Sequence, residues 1–354
     1  MTTLRGSDAG AAGGPAATLV PVEDASRVGE ARRTAALLGL RAGLGETERG
    51  TLAVVVTELA TNLARHARRG RLLLSVVGEP DAAGVEVLAL DEGPGIANVA
   101  RAMEDGYSTG GTAGAGLGAV RRMASSFDLY SRQGEGGGAG TAQVARVWSA
   151  AGARAVAACG ALCAGVACVA LAGESACGDA WVVLHQRDRT LVALVDGLGH
   201  GPDAAAAADE AVRVVREEAD AAPAAIVQAA HGALRATRGA AMAVAAVDPA
   251  RGTVMFAGVG NVSAAVHNGA GSRGLASSNG TVGHMMRTLH EYRGDWASGA
   301  TLVLHTDGIN TRWRTDAYPG IVRHDPALLA GVLFRDAARG RDDATAVVVR
   351  ERSA

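Results

Sequence analysis

Asp91-Glu92-Gly93-Pro94-Gly95 follows directly on the apolar run Val85–Leu90. A carboxylate at a strand end can accept a hydrogen bond from an exocyclic amine, and the glycines beside it let a flat ring approach bare backbone. Upstream, Glu58 and Asn62 lie four residues apart, with His66 four further on. That spacing puts all three on one helical face, away from the stripe Leu52, Val55, Val56, Leu59 and Leu63. Glu58 supplies a proton acceptor and Asn62 an amide oxygen able to ligate a hard cation, whereas His66 reads as structural. Downstream, the glycine-rich stretch Gly110–Gly118 runs into a helix over 117–126. Free N–H groups at a helix start cradle phosphates. Taken singly these are a solvated face, a turn and a flexible loop. In this order they point to a nucleotide site.

A chain of 354 residues has room for two domains. With 48% hydrophobic and 20% charged residues each can bury a core, which excludes wholesale disorder. All 34 basic residues are Arg. A lysine-dependent Walker loop and Schiff-base chemistry are therefore excluded. The 34 basic and 36 acidic residues leave a net charge of −2, and aromatics are 3%, so neither nucleic acid nor an anionic membrane is an expected partner. Cys159, Cys163, Cys168 and Cys177 sit among Ala, Val and Leu and read as buried thiols of a cytoplasmic protein. The uncharged stretch 155–173 is interrupted by Gly160, Gly165 and Gly173, so it reads as two short strands and not as a membrane span.

Residues 1–17 have no periodicity and read as a disordered tail. A first domain is expected over 18–149, closing with a hairpin of Phe127–Ser131 and Thr141–Val147. After Trp148 the pattern restarts, giving a second domain over 150–354. Its strands are expected near 156–162, 166–172, 180–185, 190–195, 241–247, 253–258, 262–267, 301–306 and 344–350, with helices near 203–219, 223–237 and 326–337. Strands, then helices, then strands imply packed sheets with helices outside, an α+β class.

Four of these strands carry a carboxylate at one end. Leu191–Val195 runs into Asp196-Gly197, and Thr301–Thr306 into Asp307-Gly308. Asp179 precedes Ala180–Leu184, and Asp342-Asp343 precedes Ala344–Val349. Converged, such acids are costly unless a cation sits among them. All-oxygen ligation suits Mg²⁺ or Mn²⁺, and two such ions can hold a phosphate and activate water. His200 reads as a loop or supporting residue.

Two family resemblances rest on these residues. Glu58-Leu59-Ala60-Thr61-Asn62, Asp91–Gly95 and Gly114-Ala115-Gly116-Leu117-Gly118 resemble the nucleotide boxes of the histidine-kinase-like (GHKL, Bergerat-fold) ATPases. With Asp105–Thr109, Val120–Met123 and the closing Gly140-Thr141, the stretch 19–148 is similar to the RsbT-type serine/threonine switch kinases. Thr61 and Ala119 stand where those kinases often carry Arg and Pro. The resemblance implies an α/β sandwich with ATP and Mg²⁺ as cofactors. It implies Glu58 as catalytic base, Asn62 as Mg²⁺ ligand, Asp91 on the adenine amine with Gly93 and Gly95 beside the ring, and Gly114, Gly116 and Gly118 at the phosphates.

Cys177-Gly178-Asp179, Val195–Gly201, Gly258-Val259-Gly260-Asn261, His305–Asn310 and Arg341–Thr345 resemble the PPM/SpoIIE-type phosphatases, most closely RsbX, over 154–350. That implies an αββα sandwich holding two Mn²⁺ or Mg²⁺ ions. Asp196 would bridge them catalytically, with the Gly197 carbonyl, Asp179, Asp307 and Asp342 as further ligands, and the register between Asp342 and Asp343 left open. Together the resemblances imply a kinase and phosphatase acting on STAS-domain anti-sigma antagonists or stressosome proteins. The competing expectation is a phosphatase whose ATP-binding module only sequesters its partner.

Overall fold

The computed structural model describes residues 11–12, 14, 16–103, 116–134, 138–158, 160–268 and 271–352. Its first half contains β1 (Ala11–Ala12), β2 (Thr18–Pro21), α1 (Arg27–Arg41), α2 (Glu46–His66), β3 (Arg71–Val77), β4 (Gly84–Leu90), α3 (Val99–Ala102), α4 (Leu117–Met123), β5 (Ser126–Arg132) and β6 (Gly140–Trp148). The second half runs α5 (Ala150–Ala158), β7 (Leu162–Val169), β8 (Asp179–His185), β9 (Thr190–Gly197), α6 (Pro202–Glu217), α7 (Pro223–Ala233), β10 (Ala240–Asp248), β11 (Thr253–Val259) and β12 (Ser263–Asn268). It continues with β13 (Gly271–Leu275), β14 (Gly280–Thr281), β15 (Met285–Met286), β16 (Glu291–Asp295), β17 (Thr301–His305), α8 (Pro326–Ala337) and β18 (Ala344–Glu351).

The first sheet has the order β2-β3-β4-β6-β5, all antiparallel. The stripe read from the sequence on α2 is buried against it, with Val85, Val87 and Ala89 of β4 in the same core. The second half stacks a six-stranded sheet, β1-β8-β9-β10-β11-β16, on a five-stranded one, β13-β12-β17-β18-β7. Val192, Leu194, Phe256, Leu302, Leu304 and Val347 fill the space between them. α6 and α7 cover the outer face of the six-stranded sheet through Ala208, Ala211, Val215, Ile226 and Val227.

The halves are packed together through α8. Pro326–Arg335 is buried along its whole length, as a helix apolar on every side must be. One side packs on Ala167, Val169 and Val348 of the five-stranded sheet, and the other on Leu73, Leu88, Leu90, Tyr130 and Val144 of the first sheet. α8 is thus a layer shared by both halves. Gly331 sets the approach, since a Cβ there would lie 2.5 Å from Leu88 Cδ2.

A buried ionic group crosses the same interface. The Arg146 guanidinium forks onto both oxygens of Asp325 at 2.6 and 2.9 Å and bonds Glu86 Oε2 at 2.7 Å. Burial raises the Glu86 pKa against the pull of Arg146. Removing one partner of such a group strands the others in low dielectric, at about 3–5 kcal/mol. Arg146→Ala should therefore lower the stability of the full chain by about that amount, seen as an earlier urea midpoint. An unchanged midpoint would mean that water reaches Glu86 and Asp325.

Several sequence expectations change here. Where a boundary and a strand over 156–162 were expected, Ala150–Ala158 forms α5, since a run of Ala without β-branched spacing favours helix. One strand, β7, replaces the expected pair over 156–172. Absent from the sequence reading, β13 and β16 extend the two sheets at their edges, and β14 pairs with β15 in a small sheet of their own. Within the segment expected to be a tail, Ala11 and Ala12 pair with Leu184 and Val183, occupying a sheet edge whose backbone groups are otherwise unpaired. No helix among the described residues is long and apolar enough to cross a membrane.

Candidate functional sites

Glu58 and Asn62 lie on one half-exposed face of α2, with His66 exposed beyond them. Partial burial raises the Glu58 pKa above the ordinary carboxylate value, the direction wanted of a proton acceptor. The end of α2 adjoins the turn after β4: Glu92 N–H donates to the Arg68 carbonyl at 2.9 Å. Asp91 is only 7% exposed, and its Oδ1 accepts the Gly93 N–H at 2.6 Å. Burial raises its pKa, opposed by that N–H, by Arg335 and by Thr141. Gly93 has no room for a Cβ, which would lie 2.7 Å from Asp91 Oδ1, and Gly95 has φ +77° with the Arg132 carbonyl against it. A buried acid beside two obligatory glycines fits a flat, amine-bearing ring. Gly116 precedes α4 and Gly118 is buried within it. Gly114, and the stretch Asp105–Thr109, lie outside the described residues.

In the second half, the register of β8 on β9 sets Asp179 directly opposite Asp196. Burial, then repulsion from Asp179, Asp307, Asp342 and Asp343, pushes the Asp196 carboxyl far above its usual range. Asp179 is raised for the same leading reason. Such excess negative charge in one place fits a hard cation. Among the described residues no three ligating side chains already enclose one ion. A Mg²⁺-like site that keeps several waters and takes one or two carboxylates per ion does not require them to. Gly197 closes β9, with its N–H on the Gly178 carbonyl. Of the paired acids, Asp343 is already engaged, accepting the N–H groups of Leu171 and Gly178 at 2.7 Å each. Asp342 is half-buried beside them, its pKa raised by burial and by Asp307.

Supporting groups escaped the sequence reading. Asn261 Nδ2 donates to Asp307 Oδ2 at 2.7 Å, and the Thr306 hydroxyl donates to Asp179 Oδ2 at 2.9 Å. Both lie in stretches whose acids and glycines drew attention, but an amide or hydroxyl three-dimensionally next to a carboxylate has no linear signature. His200 is turned to Glu174 Oε1 at 2.6 Å. Cys163, Cys168 and Cys177 are free thiols, and Cys159 lies outside the described residues.

Residues 21–147 match the histidine kinase-like ATPase domain family, and residues 186–352 match Stage II sporulation protein E, SpoIIE. The serine/threonine-protein kinase RsbT of Bacillus subtilis (strain 168) is 37% identical over 94 residues, which are 27% of this chain and 71% of that protein. The chain belongs to the RsbT-type kinase family. It is an enzyme whose RsbT-type half is joined to a SpoIIE/PPM-type protein serine/threonine phosphatase domain. It is a partner-switching regulator that pairs a kinase-like ATPase domain with a SpoIIE-type phosphatase domain. A solved structure described as "The bacterial stressosome: a modular system that has been adapted to control secondary messenger signaling" is 30% identical, covering 53% of this chain and 99% of its own, at a TM-score of 0.51. A crystal structure of RsbX in complex with magnesium is 21% identical over 54% of this chain and 96% of its own, at a TM-score of 0.47.

Proposed function

We propose that the RsbT-type half, over 18–149, phosphorylates a serine or threonine of a STAS-domain protein, and that the phosphatase half, over 150–354, removes phosphate from that protein or its stressosome partner. The observation that carries this is the presence of both residue sets in one chain, with Glu58 in place on the ATP-binding half. A module that only sequestered a partner would not need that base.

In the first half ATP supplies the phosphoryl group. Asp91 would receive the adenine amine, Gly93 and Gly95 would leave space for the ring, and Asn62 would hold Mg²⁺ at the phosphates, for which Gly114, Gly116 and Gly118 are the proposed glycines. Glu58 would take the proton of the acceptor hydroxyl as its oxygen bonds the γ-phosphorus and ADP leaves. In the second half two Mn²⁺ or Mg²⁺ ions, when bound, would supply Lewis acidity and a water activated for attack. Asp196 and the Gly197 carbonyl would hold them from β9, Asp179 from β8, and Asp307 and Asp342 from loop positions. Asp342 takes this role over Asp343 because both Asp343 oxygens accept backbone N–H groups. Asn261 and Thr306 keep Asp307 and Asp179 aimed.

Both sites sit in one packed body, so a bound partner meets each at high effective concentration. The test incubates the full chain with a STAS-domain protein and γ-labelled ATP, then chases with excess unlabelled ATP and Mn²⁺. The expected result is label on one Ser or Thr, located by mass spectrometry and lost in the chase. Label that never appears on any STAS protein, while phosphatase activity is intact, would favour the sequestering alternative.

A further inference from the structure

The nucleotide and metal sites assigned above are connected by a side chain that neither residue set includes. Arg335 lies near the C-terminal end of α8, its side chain 1% exposed. Its Nη1 donates to the main-chain carbonyl of Asp91 at 2.9 Å, crossing from the phosphatase half to the turn that carries the adenine-site acid. Nε and Nη2 fork onto the carboxylate of Asp336 at 2.6 and 2.8 Å, which fixes the plane of the guanidinium. Space for the approach comes from Gly140 on β6, where a Cβ would fall 2.9 Å from Nη1. A cation is thus placed behind the Asp91 turn, on the sheet face opposite α2.

The other end of the connection is short. Just past Arg335 the Ala337 carbonyl accepts the Asn310 N–H at 2.9 Å, and Arg339 N–H donates to the Gly308 carbonyl at 2.8 Å. Ile309 and Ala338 form an isolated bridge between these bonds. Gly308 follows Asp307 directly and packs against the Asp343 carbonyl. The end of α8 therefore holds the segment that carries Asp307 while its Arg335 holds the segment that carries Asp91. Because α8 is packed on both sides, it moves as one element and not as independent side chains.

We propose that Arg335 is a positioning residue of the nucleotide site and that, through α8, it links adenine binding at Asp91 to metal binding at Asp307. Metal drawn to Asp307 would act on the 308–310 backbone that the end of α8 holds, and a shift of α8 would carry Arg335 and the Asp91 turn with it. Arg335 passes that bias to the Asp91 turn, so both ligands favour the same placement of α8. Linkage makes the effect reciprocal, with adenine tightening metal to the same degree. The inference rests on the site assignments above, and its test separates the two.

The probe is adenosine, which lacks the phosphates that would carry metal to Asn62. Its dissociation constant is measured calorimetrically on the full chain in EDTA and in saturating Mn²⁺. For the parental chain Mn²⁺ should tighten adenosine by roughly 5-fold or more. In Arg335→Gln the two constants should agree within about twofold, a change in coupling that loss of packing alone would not produce. Arg132→Gln removes a different bond between the halves, from Arg132 to the Ala317 carbonyl, and should keep the parental shift. Should Arg335→Gln not fold, Asp336→Asn, which frees the guanidinium plane, should reduce the shift instead. Adenosine that binds the parental chain with the same constant in EDTA and Mn²⁺ would overturn the linkage alone. Equal loss of the shift in Arg335→Gln and Arg132→Gln would overturn the role of Arg335. Adenosine that fails to bind at all would overturn the nucleotide-site reading and this inference with it.

Discussion

Asp196→Asn is expected to abolish phosphatase turnover while leaving the chain folded and able to bind ATP. Asp196 faces Asp179 across β8 and β9 and is repelled by Asp307, Asp342 and Asp343. Replacing it by a neutral isostere relieves that repulsion, so the variant in EDTA should melt no lower than the parental chain. The same change removes the group proposed to bridge both ions. Metal-assisted displacement draws several kcal/mol of transition-state stabilisation from such ions, so the rate should fall on the order of 10³-fold or more. A second readout is independent of turnover. Metal at about 100 times its dissociation constant stabilises a folded chain by about 2.7 kcal/mol. Mn²⁺ should therefore raise the parental melting temperature and leave that of Asp196→Asn nearly unmoved. A well-folded Asp196→Asn chain that turns over normally with Mn²⁺ would remove Asp196 from the site.

Glu58→Gln should be the largest effect in the other half. The substitution keeps the size of a half-exposed side chain on α2 and touches none of the buried stripe, so stability and ATP affinity should hold. Loss of a positioned base typically costs about 10²- to 10⁴-fold in rate. The pH profile gives a separate check. A base works when deprotonated, and burial raises the Glu58 pKa. Parental transfer should therefore fall on the acid side at a higher pH than an ordinary glutamate would give, and the residual rate of Glu58→Gln should lack that limb. Parental rates from Glu58→Gln would place the base elsewhere. If Asn62→Ala in the same assay lowers affinity for Mg²⁺-ATP and Glu58→Gln does not, binding and transfer are separated on one helical face.

Much of this was legible in the linear chain, because it is written in local periodicity. The α2 stripe needs only the spacing of Leu52, Val55, Val56, Leu59 and Leu63, and those residues are the ones buried. Asp179 precedes the apolar run of β8, whereas Asp196 closes β9 and Asp307 follows β17, so these carboxylates emerge at strand ends. Turn glycines after Asp91 are likewise a local matter of backbone freedom. The α5 run misled because Ala, Val and Gly over 150–158 carry little period-2 or helical contrast; β13 to β15 are two to five residues long, too short to show a period, and β16 pairs with β11 some forty residues back.

By itself, then, the sequence placed the candidate site groups on local elements: an acid and an amide on one helix face, an acid before two glycines, and four strand-end carboxylates. Tertiary structure alone decided how they are joined. The apolar circumference of Leu328, Leu329, Val332, Leu333 and Phe334 announced a helix, but only packing showed it covered by sheets of both halves. Arg335 and Asp91 are 244 residues apart, as Arg146 and Asp325 are 179 apart, and no periodicity spans such distances. The engagement of Asp343 by two backbone N–H groups was equally invisible, because adjacent Asp residues are chemically identical until the fold gives one of them its partners. Side-chain type and spacing set local conformation through short-range sterics and burial, whereas the meeting of distant side chains is fixed only when whole faces exclude water together.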